Sequence, residues 1–209
     1  MINYQKINIA FRAPEDFESK VIKLSQEIGN KNNSYFILDG INYYPHITIY
    51  SSIFSESNLS NILEKIEIFV KKLDDVSFKF KGVGVGQGYI GFNFINSNKI
   101  KKIHQGIVEL LNPLRKNISE DDLKDYNLVF NKKQKKSISE YGYPDAMNLY
   151  VPHMTITRLK DEKTIKNITR EIKWNVGSFK VGRIACCLMG DNGVCKQIIK
   201  EFELHSNEV

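Results

Sequence analysis

The chain of 209 residues is short of the residues that mark several common functional classes. It has three cysteines, Cys186, Cys187 and Cys195, and none is in Cys-x-x-Cys spacing. A disulfide framework and a thiolate metal knuckle are therefore not expected. No apolar run approaches the ~18 residues of a membrane-spanning helix, and the N-terminus lacks the basic-then-apolar pattern of a secretory signal. The expectation is a reduced, cytoplasmic monomer with no membrane contact. Neither sign of charge dominates. The net +6, from 30 basic and 24 acidic residues, is compatible with an anionic ligand and too mild for a histone-like binder. No Gly-x-Ser-x-Gly elbow occurs, so a serine-centred triad has no support. Gly82, Gly84, Gly86 and Gly88 fit neither a dinucleotide loop nor a P-loop, and they read instead as the lightened centre of a hairpin.

What is present is a repeated pattern. Residues 44–50 read Tyr-Pro-His-Ile-Thr-Ile-Tyr and residues 150–157 read Tyr-Val-Pro-His-Met-Thr-Ile-Thr. Side chains two apart on a strand share a face. His46 and Thr48 point one way, as do His153 and Thr155, while Ile47, Ile49, Met154 and Ile156 point into a core. The chain has four His, five Thr and five Pro. With that composition, two Pro-His-x-Thr stretches arise by chance about 2 times in a million. Each stretch offers one imidazole and one hydroxyl, so the pair points to two histidines facing each other across a substrate. In-line cleavage of a phosphodiester needs a base and an acid on opposite sides of phosphorus, and an imidazole near its usual ~6.5 does either job. The hydroxyls suit the non-bridging oxygens. No carboxylate or thiol pair stands at ligand spacing around the two histidines, so no metal site is expected.

At these residues the chain resembles the 2H phosphoesterase superfamily, which includes 2′-5′ RNA ligase-like proteins and RNA cyclic phosphodiesterases. His46-Ile47-Thr48-Ile49 and His153-Met154-Thr155-Ile156 match its paired His-x-Thr-x motifs, and Arg158 extends the second as His-x-Thr-x-x-Arg. The resemblance implies an α+β fold with two pseudo-two-fold lobes, antiparallel sheets around a central cleft and helices outside. It also implies His46 and His153 as the acid–base pair, Thr48 and Thr155 as holders of the phosphoryl oxygens, and no cofactor. The substrate would be an RNA end or a nucleotide, most simply a 2′,3′-cyclic phosphate. Cleavage or ligation of 2′-5′ linkages, a small-metabolite substrate, and an inactive nucleic-acid-binding module stay open beside it. Tyr50, Thr157, Arg158 and Tyr143 are the expected substrate contacts.

The rest of the chain fits one bilobal domain over 1–209. Strands are expected at 5–12, 36–39, 44–50, on both sides of the glycines in 76–96, at 150–158, and near 176–189 and 194–204. Helices are expected to open at Pro14, and over 55–73, 98–114 and 162–172, from apolar residues at helical spacing. His104 reads as a histidine on a helix flank. The motifs lie 107 positions apart, a spacing longer than in compact family members, and this points to an insertion at 115–149. That stretch shows one short helix near 119–126, then Lys132, Lys133, Lys135 and Lys136, then Tyr141 and Tyr143. It reads as a solvated insert or as a flap that meets phosphates and stacks a base.

Overall fold

Alternation of Ile7, Ile9 and Phe11 becomes strand β1 (Tyr4–Arg12), and Pro14 with three acidic residues in the first turn opens helix α1 (Glu15–Lys31). The computed structural model describes residues 2–118, 122, 128–172 and 177–205; the expected helix near 119–126 lies, Asp122 apart, outside them. After α1 come β2 (Ser34–Ile37), β3 (Ile47–Ser55), α2 (Leu59–Val70), β4 (Val76–Gly86), β5 (Tyr89–Phe94) and α3 (Asn98–Leu111). Then follow α4 (Lys132–Tyr141), β6 (His153–Leu159), α5 (Ile165–Glu171), β7 (Ser178–Val181), β8 (Arg183–Met189) and β9 (Cys195–Glu203). The architecture is α+β, as expected. The expected helix over 55–73 starts late because β3 runs on to Ser55 and a single 3-10 turn follows.

The strands form one curled sheet in the order β7-β4-β5-β6-β3-β1-β8-β9, with β2 on the second edge of β6. Every named pairing is antiparallel. The motif strands β3 and β6 meet at the centre through one register pair, Ile47 opposite Met154, the residue after each histidine. That pair marks a pseudo-two-fold axis. On one side β1 places Phe11 opposite Ile47, Ala10 opposite Thr48 and Ile9 opposite Tyr50. On the other β5 places Phe92 opposite Met154, Gly91 opposite Thr155 and Ile90 opposite Thr157.

Both registers skip one residue at the same point. Ile49 is the extra residue in β3 and Ile156 in β6, so each motif is followed at once by a β-bulge. A bulge inverts the alternation beyond it. Backbone approach is close here: a Cβ on Gly91 would lie 2.6 Å from the Met154 carbonyl oxygen.

Helices α1, α2 and α3 cover the outer face with Phe17, Val21 and Ile28, then Ile62, Ile66 and Val70, then Ile100, Ile103, Ile107 and Leu111. Each fully buried isoleucine contributes about 1.5–3 kcal/mol of transfer free energy. Cys186, Cys187 and Cys195 are free thiols buried in β8 and β9. Among the described residues no helix is long and apolar enough to cross a membrane.

Within the segment 115–149, residues 131–142 form a capped helix that composition alone does not suggest. Asn131 caps α4 through a capping box with Gln134, and Gly142 ends it in the left-handed region at φ +69°. Both signals stand in the sequence. They were masked by the lysines and by an apolar face reduced to Ile138.

Candidate active site

Each histidine enters its strand directly after a proline. His46 precedes β3 and His153 opens β6. Nδ1 of His46 lies 2.9 Å from the Tyr44 carbonyl, and Nδ1 of His153 lies 2.9 Å from the Val151 carbonyl. A carbonyl only accepts, so both Nδ1 atoms carry the hydrogen, and on a neutral ring Nε2 is then the nitrogen with the lone pair. The two rings thus share one tautomer and one tether, two residues back along the chain.

Their surroundings differ. His46 is 9% exposed, whereas His153 is half-buried. Burial pushes the His46 imidazole down to about 4, helped by the charges of His153 and Arg12 and opposed by backbone bonds to Tyr44 and Gly193. Arg12 is itself fixed by a two-point bond to Glu18 and by Glu201 at 3.3 Å.

Thr48 and Thr155 line the same cleft as the two histidines, a space of about 420 Å³. Asn8 donates to the Thr48 hydroxyl at 3.2 Å, which leaves that hydroxyl its own hydrogen to give. Asn93, Gln87, Tyr89 and Gly193 also line the cleft, and Tyr143 lines it from the segment 115–149.

The bulges and the pairing place three of the expected substrate contacts outside the lining of the cleft. Strict alternation would set Tyr50 beside Thr48 and Thr157 beside Thr155. The extra residues Ile49 and Ile156 turn both into the core instead. Tyr50 is 0% exposed and donates to the Tyr141 carbonyl at 2.6 Å; Thr157 is 0% exposed and donates to the Phe36 carbonyl at 2.8 Å. Arg158 is 5% exposed and is held between the rings of Tyr35 and Tyr89, at 4.9 and 4.8 Å. It donates to the Gln87 carbonyl at 3.2 Å and to Asn192 Oδ1 at 2.8 Å, so it braces two cleft-lining loops from behind. Lys132, Lys133, Lys135 and Lys136 are exposed on α4 and none lines the cleft.

Other residues that support or line the site were missed in the sequence. Asn8 interrupts the apolar run of β1, a polar residue in a strand buried on both faces. His104 is not on a flank: it is 1% exposed, aligned with Ile100, Ile103 and Ile107, and burial pushes it down to about 4. Its position one turn beyond Ile100 was the available signal. Asn93 and Gln87 carry no local signature, because they are defined by pairing with residues far along the chain. Among the described residues no group of three or more His, Cys, Asp or Glu side chains is arranged to hold a metal ion.

No curated protein matches this chain. Among solved structures, TT0787 of Thermus thermophilus superposes with a TM-score of 0.57 at 12% identity, covering 97% of this chain and 100% of that one. LigT of E. coli in its apo form gives 0.55 at 8% identity over 97% and 98% of the two chains. LigT complexed with 3′-AMP gives 0.52 at 8% identity over 97% and 99%. These likenesses are of fold. The model of the 2′-5′ RNA ligase superfamily matches residues 42–192, a span that holds both His-x-Thr motifs, and the chain belongs to that family, among the 2H phosphoesterases.

Proposed function

We propose that the protein is a metal-independent phosphodiesterase that opens 2′,3′-cyclic phosphates on a nucleotide or an RNA end. The observation that carries this reading is the pair of imidazoles on strands related by a pseudo-two-fold. Both are tethered through Nδ1 and both line one cleft. Family membership supports phosphoesterase chemistry, and LigT, whose structure with 3′-AMP shares the fold, supports a nucleotide substrate.

His46 is the base in this scheme, because it stays neutral above about pH 4. Its Nε2 takes a proton from water as the oxygen attacks phosphorus. The bond from phosphorus to one ribose oxygen breaks on the far side, and His153 Nε2–H protonates that oxygen. The product is a phosphomonoester beside a free hydroxyl. His46 ends protonated and His153 neutral, and exchange with solvent resets them. Thr48 and Thr155 donate to the non-bridging oxygens, and the fixed rings supply positioning.

The test is a panel of cyclic mononucleotides, RNA ending in a cyclic phosphate, and 2′-5′ oligoadenylates, all with EDTA present. Cyclic phosphates should be consumed at an undiminished rate. Turnover of the 2′-5′ oligomers alone would reassign the reaction to that linkage. Loss on chelation with recovery on adding a divalent ion would end the metal-free mechanism.

A further inference from the structure

The cleft joins two chemically different surfaces. Around the histidines it is polar. Beyond them it is lined by Ile53, Ile118, Leu128, Phe130 and Met189. With Ile138 these residues form an apolar cluster separate from the main core. The segment 115–149 builds most of it and is fastened to both halves of the sheet. On the first half, Lys116 N–H donates to the Ile53 carbonyl at 2.8 Å. On the second, the Gln87 side chain pairs with both backbone groups of Val129, at 2.6 and 3.2 Å. Gln87 stands at φ +48° in the turn between β4 and β5, a conformation that aims its amide across to residue 129.

Charge points the same way. Among the described residues lining the cleft, the charged side chains besides the histidines are one lysine, Lys6, and one carboxylate, Asp145. An RNA backbone is held by several cations along its path. Among the described residues this cleft offers no such row, and the four lysines of α4 lie outside it. Its volume of about 420 Å³ falls near the lower end of small-molecule sites, which run from about 300 to 1,000 Å³.

We infer that the site takes a substrate of mononucleotide size, with one phosphodiester at the histidines and one aromatic base in the apolar compartment, and does not follow a nucleic-acid backbone. The inference rests on the phosphodiesterase reading above. Three probes separate the two claims: adenosine 2′,3′-cyclic phosphate, the cyclic phosphate of a methyl riboside with no base, and a decanucleotide ending in a cyclic phosphate. The nucleotide should exceed the base-less probe in kcat/KM by about tenfold or more, the scale of one stacked base. It should at least equal the decanucleotide, with a change under about twofold between 50 and 200 mM salt. Phe130→Ala and Leu128→Ala, made separately, should each shrink the ratio of nucleotide to base-less probe severalfold, chiefly through KM. A decanucleotide favoured about tenfold at low salt and losing that lead at high salt would overturn the inference while leaving the phosphodiesterase intact. So would equal handling of probes with and without a base. Turnover of none of the three would bring down the phosphodiesterase reading itself.

Discussion

The two halves of the sheet solve one backbone problem with different side chains. Each motif strand bulges one residue after its threonine, and each bulge turns a buried carbonyl out of the ladder. In the first half the Ile49 carbonyl accepts from His104 Nδ1 at 2.6 Å. The same ring accepts the Met147 N–H on Nε2 at 2.7 Å and stacks on Tyr150, whose hydroxyl donates to the Thr48 carbonyl at 2.8 Å. In the second half the Ile156 carbonyl accepts from the Ser25 hydroxyl at 2.7 Å, and that oxygen accepts the Leu38 N–H at 2.9 Å. A titratable ring from α3 does in one half what a serine from α1 does in the other. The pseudo-symmetry therefore lies in register and hydrogen bonding, while side-chain identity is free to diverge. The first half holds two buried imidazoles, His46 and His104, both pushed down to about 4 by burial.

The largest expected effect tests whether the halves contribute equally to chemistry. His46→Ala and His153→Ala should each lower kcat/KM by about 10² or more in proteins whose circular dichroism is unchanged. Near-normal turnover in one of them would make the chemistry one-sided. The pH profile then assigns the roles. With His46 as base, the acidic limb of the kcat/KM profile falls as pH drops through about 4, where that ring gains a proton. Activity confined to the region below about pH 4 would instead make His46 the acid.

Stability should separate the halves next. The folded-state values of His46 and His104 lie at about 4, below the unfolded 6.5. Between those values the unfolded chain binds more protons, so stability is full above pH 6.5 and is lost as pH falls toward 4. Each group accounts for about 2 kcal/mol of that loss by pH 5. His104→Phe should remove its share of the slope, measured by urea unfolding at pH 7 and pH 5. At pH 7 the same change should cost several kcal/mol, because two buried backbone groups lose partners at about 1–3 kcal/mol each. Ser25→Ala should be comparable at pH 7 but should leave the slope as it was. Equal slopes in both variants would place the pH sensitivity elsewhere.

The same contrast explains what was legible in the sequence. Alternation located β1, β3 and β6 because their apolar residues face a packed core, and the repeated His-x-Thr stretches located the cleft. Alternation breaks two residues later, at Tyr50 and Thr157, because a bulge is set by the pairing partner and leaves no mark on the strand that carries it. Arg158 is legible as a motif residue but not as a brace, since its partners at 35, 87, 89 and 192 converge only in the fold. Helix α4 was hidden because a helix resting on Ser137 and Ile138 has little apolar period to read.

The smallest expected effect compares the two threonines. Thr→Val keeps the branched shape and removes the hydroxyl, so each variant should lose about 1–3 kcal/mol of transition-state stabilisation, read as a fall in kcat/KM. The two should not be identical. Thr48 accepts from Asn8, a fully buried residue, so Thr48→Val also leaves the Asn8 amide facing a methyl group. Part of its cost should therefore appear in urea unfolding, at about 1 kcal/mol or more. Thr155 is half-buried on the opposite strand, and Thr155→Val should act on kcat/KM with little change in stability. Asn8→Ala supplies the control, because it removes the donor while leaving the Thr48 hydroxyl in place. If Asn8 only orients that hydroxyl, Asn8→Ala should lower kcat/KM in the Thr48 background and have no further effect once Thr48 is Val. Additive losses in the double variant would show that Asn8 serves the strand pairing of β1 and β3 independently of the threonine.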